Sequence, residues 1–146
     1  MNPATLLIIE DNLAQQLVYR QLCEIFDCAA VFCSSGEDAL EAVALARYAA
    51  VLVDLKLPGI DGVETVRRLR QFEGITGHRT SIIALTASNR AEDEKALRHA
   101  GVDDFMTKPF VIDDFRKLLL RQIYNSERPN LKLLMIPNNA QRSVGY

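Results

Sequence analysis

Val51-Leu52-Val53-Asp54-Leu55-Lys56-Leu57-Pro58-Gly59-Ile60-Asp61-Gly62 is the stretch whose reading decides the fold. Its start belongs to a continuous apolar run, Ala49 to Val53, the pattern of a strand covered on both faces of a parallel sheet. Asp54 follows at once, and Pro58-Gly59 and Asp61-Gly62 mark turns. The chain thus leaves a buried strand and delivers one carboxylate to its carboxyl end. Open α/β sheets place ligands and chemistry at that rim.

Three further apolar runs end the same way. Thr5 to Ile9 ends in Glu10-Asp11, Ser81 to Leu85 in Thr86-Ala87-Ser88, and Val102 to Met106 in Thr107-Lys108-Pro109. If the strands are parallel, three acids, a hydroxyl and an amine converge at one rim. Between the runs lie helical patterns. Asn12 caps one with Leu13, Leu17, Val18, Leu22, Ile25 and Phe26 at three- and four-residue steps. Cys28 to Cys33 reads as a short strand, and Ser35 caps a helix with Ala39, Leu40, Ala42, Val43 and Ala46 inward. Val63, Val66, Leu69 and Arg70 mark a helix ending near Phe72, followed by a polar loop from Glu73 to Arg79. A charged helix from about Asn89 stops at Gly101, and a last one from about Ile112 to Tyr124 turns Ile112, Phe115, Leu119 and Ile123 inward. The repeat of strand and helix predicts an α/β fold, a five-stranded parallel sheet with helices on both faces.

Composition sets the class. The 146 residues are 49% apolar and 25% charged, with a formal net charge of −2, enough for one soluble domain with a full core. Without a basic excess there is no bulk pull toward nucleic acid, and no apolar run approaches a membrane span. With no signal pattern at the N-terminus, the expectation is a cytoplasmic protein. Cys23, Cys28 and Cys33 are odd in number and form no C-x-x-C pair, so they read as small buried residues of a reducing compartment. The expected boundaries are one domain over residues 1–125 and a tail or linker over 126–146, with no second domain.

Clustered carboxylates repel unless a cation sits among them, and Mg²⁺ suits carboxylate oxygens, a carbonyl and water. With the charge of Glu10, Asp11 and Asp54 neutralised, a phosphoryl donor could approach Asp54, since carboxylates accept phosphoryl groups covalently. The transferred group carries charge on its oxygens, which Lys108 and the Thr86 hydroxyl would meet. Taken singly, each residue has a plainer account: a turn acid, a pair of acids at a helix N-terminus, a cap, a loop lysine. Their occurrence at four strand ends favours the shared one.

In this order these residues resemble the receiver domain of two-component response regulators, over about Ala4 to Asn125. Glu10-Asp11 stands at the family's acidic metal pair and Asp54 at its phosphoacceptor, followed by Pro58 and the Asp61-Gly62 turn. Thr86-Ala87 matches the switch hydroxyl and its small neighbour, Phe105 the aromatic switch position, and Lys108-Pro109 the lysine and a proline usually joined by a cis bond. The resemblance implies a flavodoxin-like strand order 2-1-3-4-5. It also implies Mg²⁺ at Asp11, Asp54 and the Lys56 carbonyl, with Glu10 acting through water. A histidine kinase or histidine phosphotransfer protein would be the phosphoryl donor. A downstream protein would be met through the fourth-helix, fifth-strand and fifth-helix face, with no direct nucleic-acid or membrane contact. Glu10 for the usual aspartate, Leu57 for a common methionine and Phe105 for tyrosine are departures. Glu10-Asp11-Asn12, the long Glu73–Arg79 loop, Ile82 to Ala87 and Gly101 to Phe105 together look like hybrid-kinase and phosphorelay receivers, while Glu94 and Leu118, where DNA-binding regulators usually carry basic residues, speak against those regulators' dimer mode.

Two other functions fit the fold. One is an aspartyl-phosphate phosphotransferase or phosphatase, although Lys56 stands where haloacid-dehalogenase-type enzymes carry a second aspartate. The other is an interaction module that is never phosphorylated, although none of the five site residues is lost. Two surface expectations complete the reading. Leu13, Gln16 and Leu17 would form the surface that meets the phosphoryl donor. Val111, Leu118 and Phe105 would form an apolar patch, covered by the tail's run Leu131 to Ile136.

Overall fold

A computed structural model describes residues 5–87 and 91–124, with side chains through 122. Strands β1 (Thr5–Ile9), β2 (Ala29–Cys33), β3 (Ala50–Asp54), β4 (Ser81–Thr86) and β5 (Asp104–Thr107) alternate with helices α1 (Leu13–Ile25), α2 (Gly36–Leu45), α3 (Gly62–Thr76), α4 (Ala91–Ala100) and α5 (Ile112–Tyr124). All neighbouring strands are parallel, in the order β2-β1-β3-β4-β5. Parallel pairing with a helical crossover after every strand puts all strand carboxyl ends on one rim and all helix N-termini beside them.

Alternation along β1 divides the interior. Leu6 and Ile8 join Tyr19, Leu22 and Phe26 of α1 and its end, and Phe115, Leu118 and Leu119 of α5. Leu7 and Ile9 join Ala39, Val66, Leu69 and Leu97 from α2, α3 and α4 on the other side. Leu6 through Ile9 are all inaccessible to solvent, each such aliphatic side chain contributing about 1.5–3 kcal/mol. Tyr19, Phe26, Phe110 and Phe115 form a run of stacked rings under α1, with centroids 6.1–6.4 Å apart.

Local chemistry ends the helices as the sequence implies. Asn12 accepts from the Gln15 amide, Ser35 from Asp38 and Asp61 from Glu64. Gly101, at φ +117, closes α4 by donating to the Leu97 carbonyl. Among the described residues no helix is long and apolar enough to cross a membrane.

Four expectations change. Helix α3 runs to Thr76, and Gly77 ends it in the left-handed region at φ +76, so half of the expected polar loop is helical. In α1 the buried positions are Gln16, Tyr19, Leu22 and Cys23, while Leu13 and Leu17 are 71% and 60% exposed. Leu13 and Leu17 lie on the outer face, and Gln16 goes inward because its amide has a backbone carbonyl to bond. Leu118 is fully buried with Phe115 and Leu119, since α5 covers the sheet with a stripe wider than one residue row. The expected patch of Val111 and Leu118 is therefore absent, and the tail run expected to cover it lies outside the described residues. Of the cysteines, Cys23 and Cys33 are buried and Cys28 is half-buried.

Candidate functional site

The rim gathers side chains from β1, β3, β4 and β5. Glu10 follows the last residue of β1 and continues its alternation, so it faces the α1/α5 side and is 1% exposed. Its backbone is held twice: its amide donates to the Cys33 carbonyl at 2.9 Å, and Gln16 Nε2 donates to its carbonyl at 2.6 Å. Gln16 also donates to Ser34 Oγ at 3.2 Å, tying the ends of β1 and β2 to α1. Asp11 is exposed, and Asp54 at the end of β3 is half-buried. One oxygen from each of Glu10, Asp11 and Asp54 lies within 4.8 Å of the others.

Against these three acids stands Lys108, with Nζ 3.5 Å from Glu10 Oε2 and 3.4 Å from Asp54 Oδ2. The ammonium is delivered by the loop after β5, where the Lys108–Pro109 bond is cis. The Lys108 amide donates to the Thr86 carbonyl at 2.7 Å, tying that loop to β4. Thr86 is 5% exposed at the end of β4. Lys56 lies beside Asp54, its amide donating to Asp54 Oδ1 at 3.3 Å.

One lysine does not balance three carboxylates. Burial pushes the Glu10 carboxyl up to about 7 from 4.5; hydrogen bonding with Asp54 adds to the rise and Lys108 opposes it. Glu10 Oε2 is buried and accepts no hydrogen bond among the described residues. Anionic oxygens converging, one of them buried with the Lys108 ammonium 3.5 Å away but no hydrogen bond among the described residues, beside two acids and open to solvent through Asp11, fit a hard divalent cation such as Mg²⁺.

Phe105 stands apart from the acids. It pairs with Ala84, two steps before the Thr86–Thr107 pair, is half-buried, and has the Arg98 guanidinium 4.6 Å over its ring. A core aromatic would be closed to solvent, and this ring is not.

Three residues that shape the site were not singled out by the sequence as doing so. Gln16 positions Glu10. Gly62 lets α3 approach β3: a Cβ there would meet the Asp54 carbonyl oxygen at 2.6 Å and Leu55 Cα at 2.7 Å. Tyr19, inaccessible to solvent, has a hydroxyl without a hydrogen-bond partner among the described residues. Burial, followed by the fields of Glu10 and Asp54, raises its phenol far above its ordinary range. The glycine carried a turn signal only, Gln16 was read as part of the donor-facing surface, and Tyr19 looked like an ordinary helix residue.

Comparisons with known proteins agree with this geometry. The family model described as the response regulator receiver domain matches residues 6–136. The sensor histidine kinase GacS of Pseudomonas protegens is 31% identical over 116 residues, covering 79% of this chain and 13% of its own length. The response regulator MprA of a Mycobacterium species is 30% identical over 131 residues, covering 88% of this chain and 55% of its own. This chain thus spans about half of one curated relative and a small part of the other. The receiver domain of the sensor histidine kinase PA1611 from Pseudomonas aeruginosa, solved with magnesium in its active-site cleft, is 31% identical with a TM-score of 0.76; the match covers 84% of this chain and 99% of that one. With its (βα)₅ order, its acids gathered at one rim and a family model matching most of its length, this chain belongs to the response regulator receiver domains of two-component systems.

Proposed function

We propose that Asp54 accepts a phosphoryl group from a phosphohistidine and that the resulting aspartyl phosphate changes the surface a downstream partner meets. The observation that carries this is the charge arrangement: three carboxylates within 4.8 Å, one lysine reaching two of them, and a buried carboxylate oxygen with no hydrogen bond among the described residues. Asp11, Asp54 and the Lys56 carbonyl would hold Mg²⁺, with Glu10 acting through water. When bound, the ion supplies positive charge to oppose the incoming phosphoryl oxygens.

In the step, an Asp54 carboxylate oxygen bonds to phosphorus, the phosphorus–nitrogen bond of the donor breaks, and the imidazole nitrogen keeps the electron pair. Lys108, already 3.4 Å from Asp54 Oδ2, loses one carboxylate partner and gains a phosphoryl oxygen. Thr86, at the end of the adjacent strand, would donate its hydroxyl to another. The Lys108 amide bonded to the Thr86 carbonyl holds the backbones that carry the two donors side by side. Phe105 lies between them and the α4-β5-α5 face, where a hollow lined by Phe105, Met106, Pro109, Lys117 and Arg121 is open to a partner.

The donor in this reading is a histidine kinase or histidine phosphotransfer protein that meets the exposed Leu13 and Leu17 beside the acids; Gln16, being buried, drops out of that surface. The chain is a cytoplasmic receiver of the hybrid-kinase or phosphorelay kind, with residues 1–125 as the phosphoacceptor domain and 126–146 as a tail or linker. It catalyses at most its own phosphorylation and dephosphorylation. A turnover enzyme on an aspartyl intermediate is disfavoured by Lys56, which puts an amine where an acid/base carboxylate is needed.

Acetyl phosphate with Mg²⁺ tests the reading. One phosphoryl group should appear by mass spectrometry, none should appear in Asp54→Asn, and chelation of the metal should abolish labelling. Equal labelling of Asp54→Asn sinks the assignment. Lys108→Ala should still be labelled but no longer change conformation on beryllofluoride binding.

A further inference from the structure

We propose that Cys23 and Cys28 are a dithiol site that a hydroperoxide oxidises to an intramolecular disulfide. The geometry comes from how α1 ends. Phe26 is its C-cap, and Asp27 sits at φ +53, in the left-handed region although it is not glycine. The Asp27 amide donates to the Glu24 carbonyl at 3.2 Å and the Cys28 amide to the Cys23 carbonyl at 2.8 Å. These two bonds define a Schellman end, in which the residue after the left-handed one packs against the residue five before it. Those two positions usually share an apolar contact. Here both are cysteine.

The contact is chemical as well as steric. Both side chains pack in the α1/α5-side core; the interaction between them raises the Cys23 thiol, with burial adding to it, and lowers the Cys28 thiol against the effect of burial, and Cys28 Sγ donates to the Ala29 carbonyl at 3.5 Å. Cys28 is half-buried, whereas Cys23 is 5% exposed. Cys28 therefore has the access to meet the peroxide first. Cys33 is excluded from the pair. It lies at the far end of β2, about 16 Å from Cys28 by strand rise, and it packs in the α2/α3/α4 core while Cys28 packs in the other.

The chemistry balances with the peroxide as oxidant. With hydrogen peroxide, the Cys28 thiolate bonds to one oxygen, the O–O bond breaks, and the departing hydroxide takes up the proton that Cys28 had released, giving a sulfenic acid and one water. Cys23 sulfur then bonds to Cys28 sulfur, the S–O bond breaks, and the Cys23 proton leaves with the oxygen as a second water. Two thiols lose two electrons and the peroxide is reduced to two waters. In a reducing compartment such a bond is transient, as for a redox-sensing pair. It would staple the α1–β2 corner, at the opposite end of α1 from Asp54.

The test uses the full reduced chain, hydrogen peroxide, alkylation after unfolding and mass spectrometry. The expected result is loss of two alkylatable thiols and two hydrogens, reversed by dithiothreitol. The same result is expected in Cys33→Ala, and no internal disulfide is expected in Cys28→Ser, a near-isosteric change at a half-buried position on the edge of the core. The proposal is overturned if Cys28 proceeds to sulfinic acid while Cys23 stays alkylatable, if the bond forms between two chains, or if Cys33→Ala abolishes it.

Discussion

The two ends of the sheet treat charge in opposite ways. At the amino-terminal end, Arg70 donates to the Gly101 and Thr80 carbonyls and pairs with Glu73 at 2.5 Å and Asp103 at 2.6 Å. Arg79 also pairs with Asp103, and the Ile82 amide donates to it. Two cations thus meet two anions, and the network clamps α3, the start of β4 and the loop before β5. Beside it lies an apolar cavity of about 260 Å³ lined by Val43, Tyr48, Leu69 and Phe72. At the carboxyl-terminal rim, three carboxylates face one lysine, and a buried carboxylate oxygen has no hydrogen bond among the described residues. The balanced end holds helices to the sheet. The unbalanced end holds a charge deficit that a metal and a phosphoryl group can relieve, which is how sites trade stability for function.

The largest effect should come from breaking the balanced end. Arg70→Met leaves two acids and two carbonyls short of a partially buried donor and should cost about 3–5 kcal/mol. Urea denaturation measures this, and Asp54 labelling of the remaining folded protein should be unchanged. A loss of labelling in parallel would join the two ends into one network.

Next comes pH. Glu10 titrates at about 7 in the fold against 4.5 ordinarily, so the metal-free fold binds that proton more tightly than the unfolded chain. The associated stability, up to about 3 kcal/mol, is fully present below pH 4.5 and is lost as pH rises through 7. Glu10→Gln should remove this slope. Mg²⁺ should stabilise the parent more at pH 8 than at pH 5.5, because the proton competes with the metal. Denaturation with and without Mg²⁺ across this range checks both statements.

Gly62→Ala should cost about 2 kcal/mol, since the added methyl meets backbone atoms of Asp54 and Leu55, which yield poorly. It should also slow labelling of Asp54, which a purely structural glycine would not do. The smallest and sharpest comparison makes one chemical change at each end. Asp54→Asn removes a repelling charge from the rim and should raise stability by about 1 kcal/mol, whereas Asp103→Asn weakens two ion pairs and should lower it by about 1 kcal/mol. Thermal unfolding of the two variants in metal-free buffer would show the opposite signs, and equal signs would erase the contrast.

Much of this was legible because βα repetition writes itself into sequence. Four apolar runs end in Glu10-Asp11, Asp54, Thr86 and Lys108, and in a parallel sheet those ends must share a rim. The strand order came from the resemblance to a known family, because local patterns do not record which strands are neighbours. Residues whose burial depends on a partner elsewhere were misread. Gln16 looks like a surface residue until the Glu10 carbonyl is 2.6 Å away. Leu118 looks like a spare leucine until α5 is laid on the sheet beside α1.

By itself the sequence determined which elements form and which side chains each strand end carries, since backbone periodicity and turn chemistry are local. Only the tertiary structure decided that Glu10 is closed to solvent while Asp11 is open, that Lys108 reaches two acids, and that Cys23 and Cys28 pack in one core at a helix end. Those relations depend on how helices seat against the sheet, where burial and distance set electrostatic strength, and no single segment contains that information.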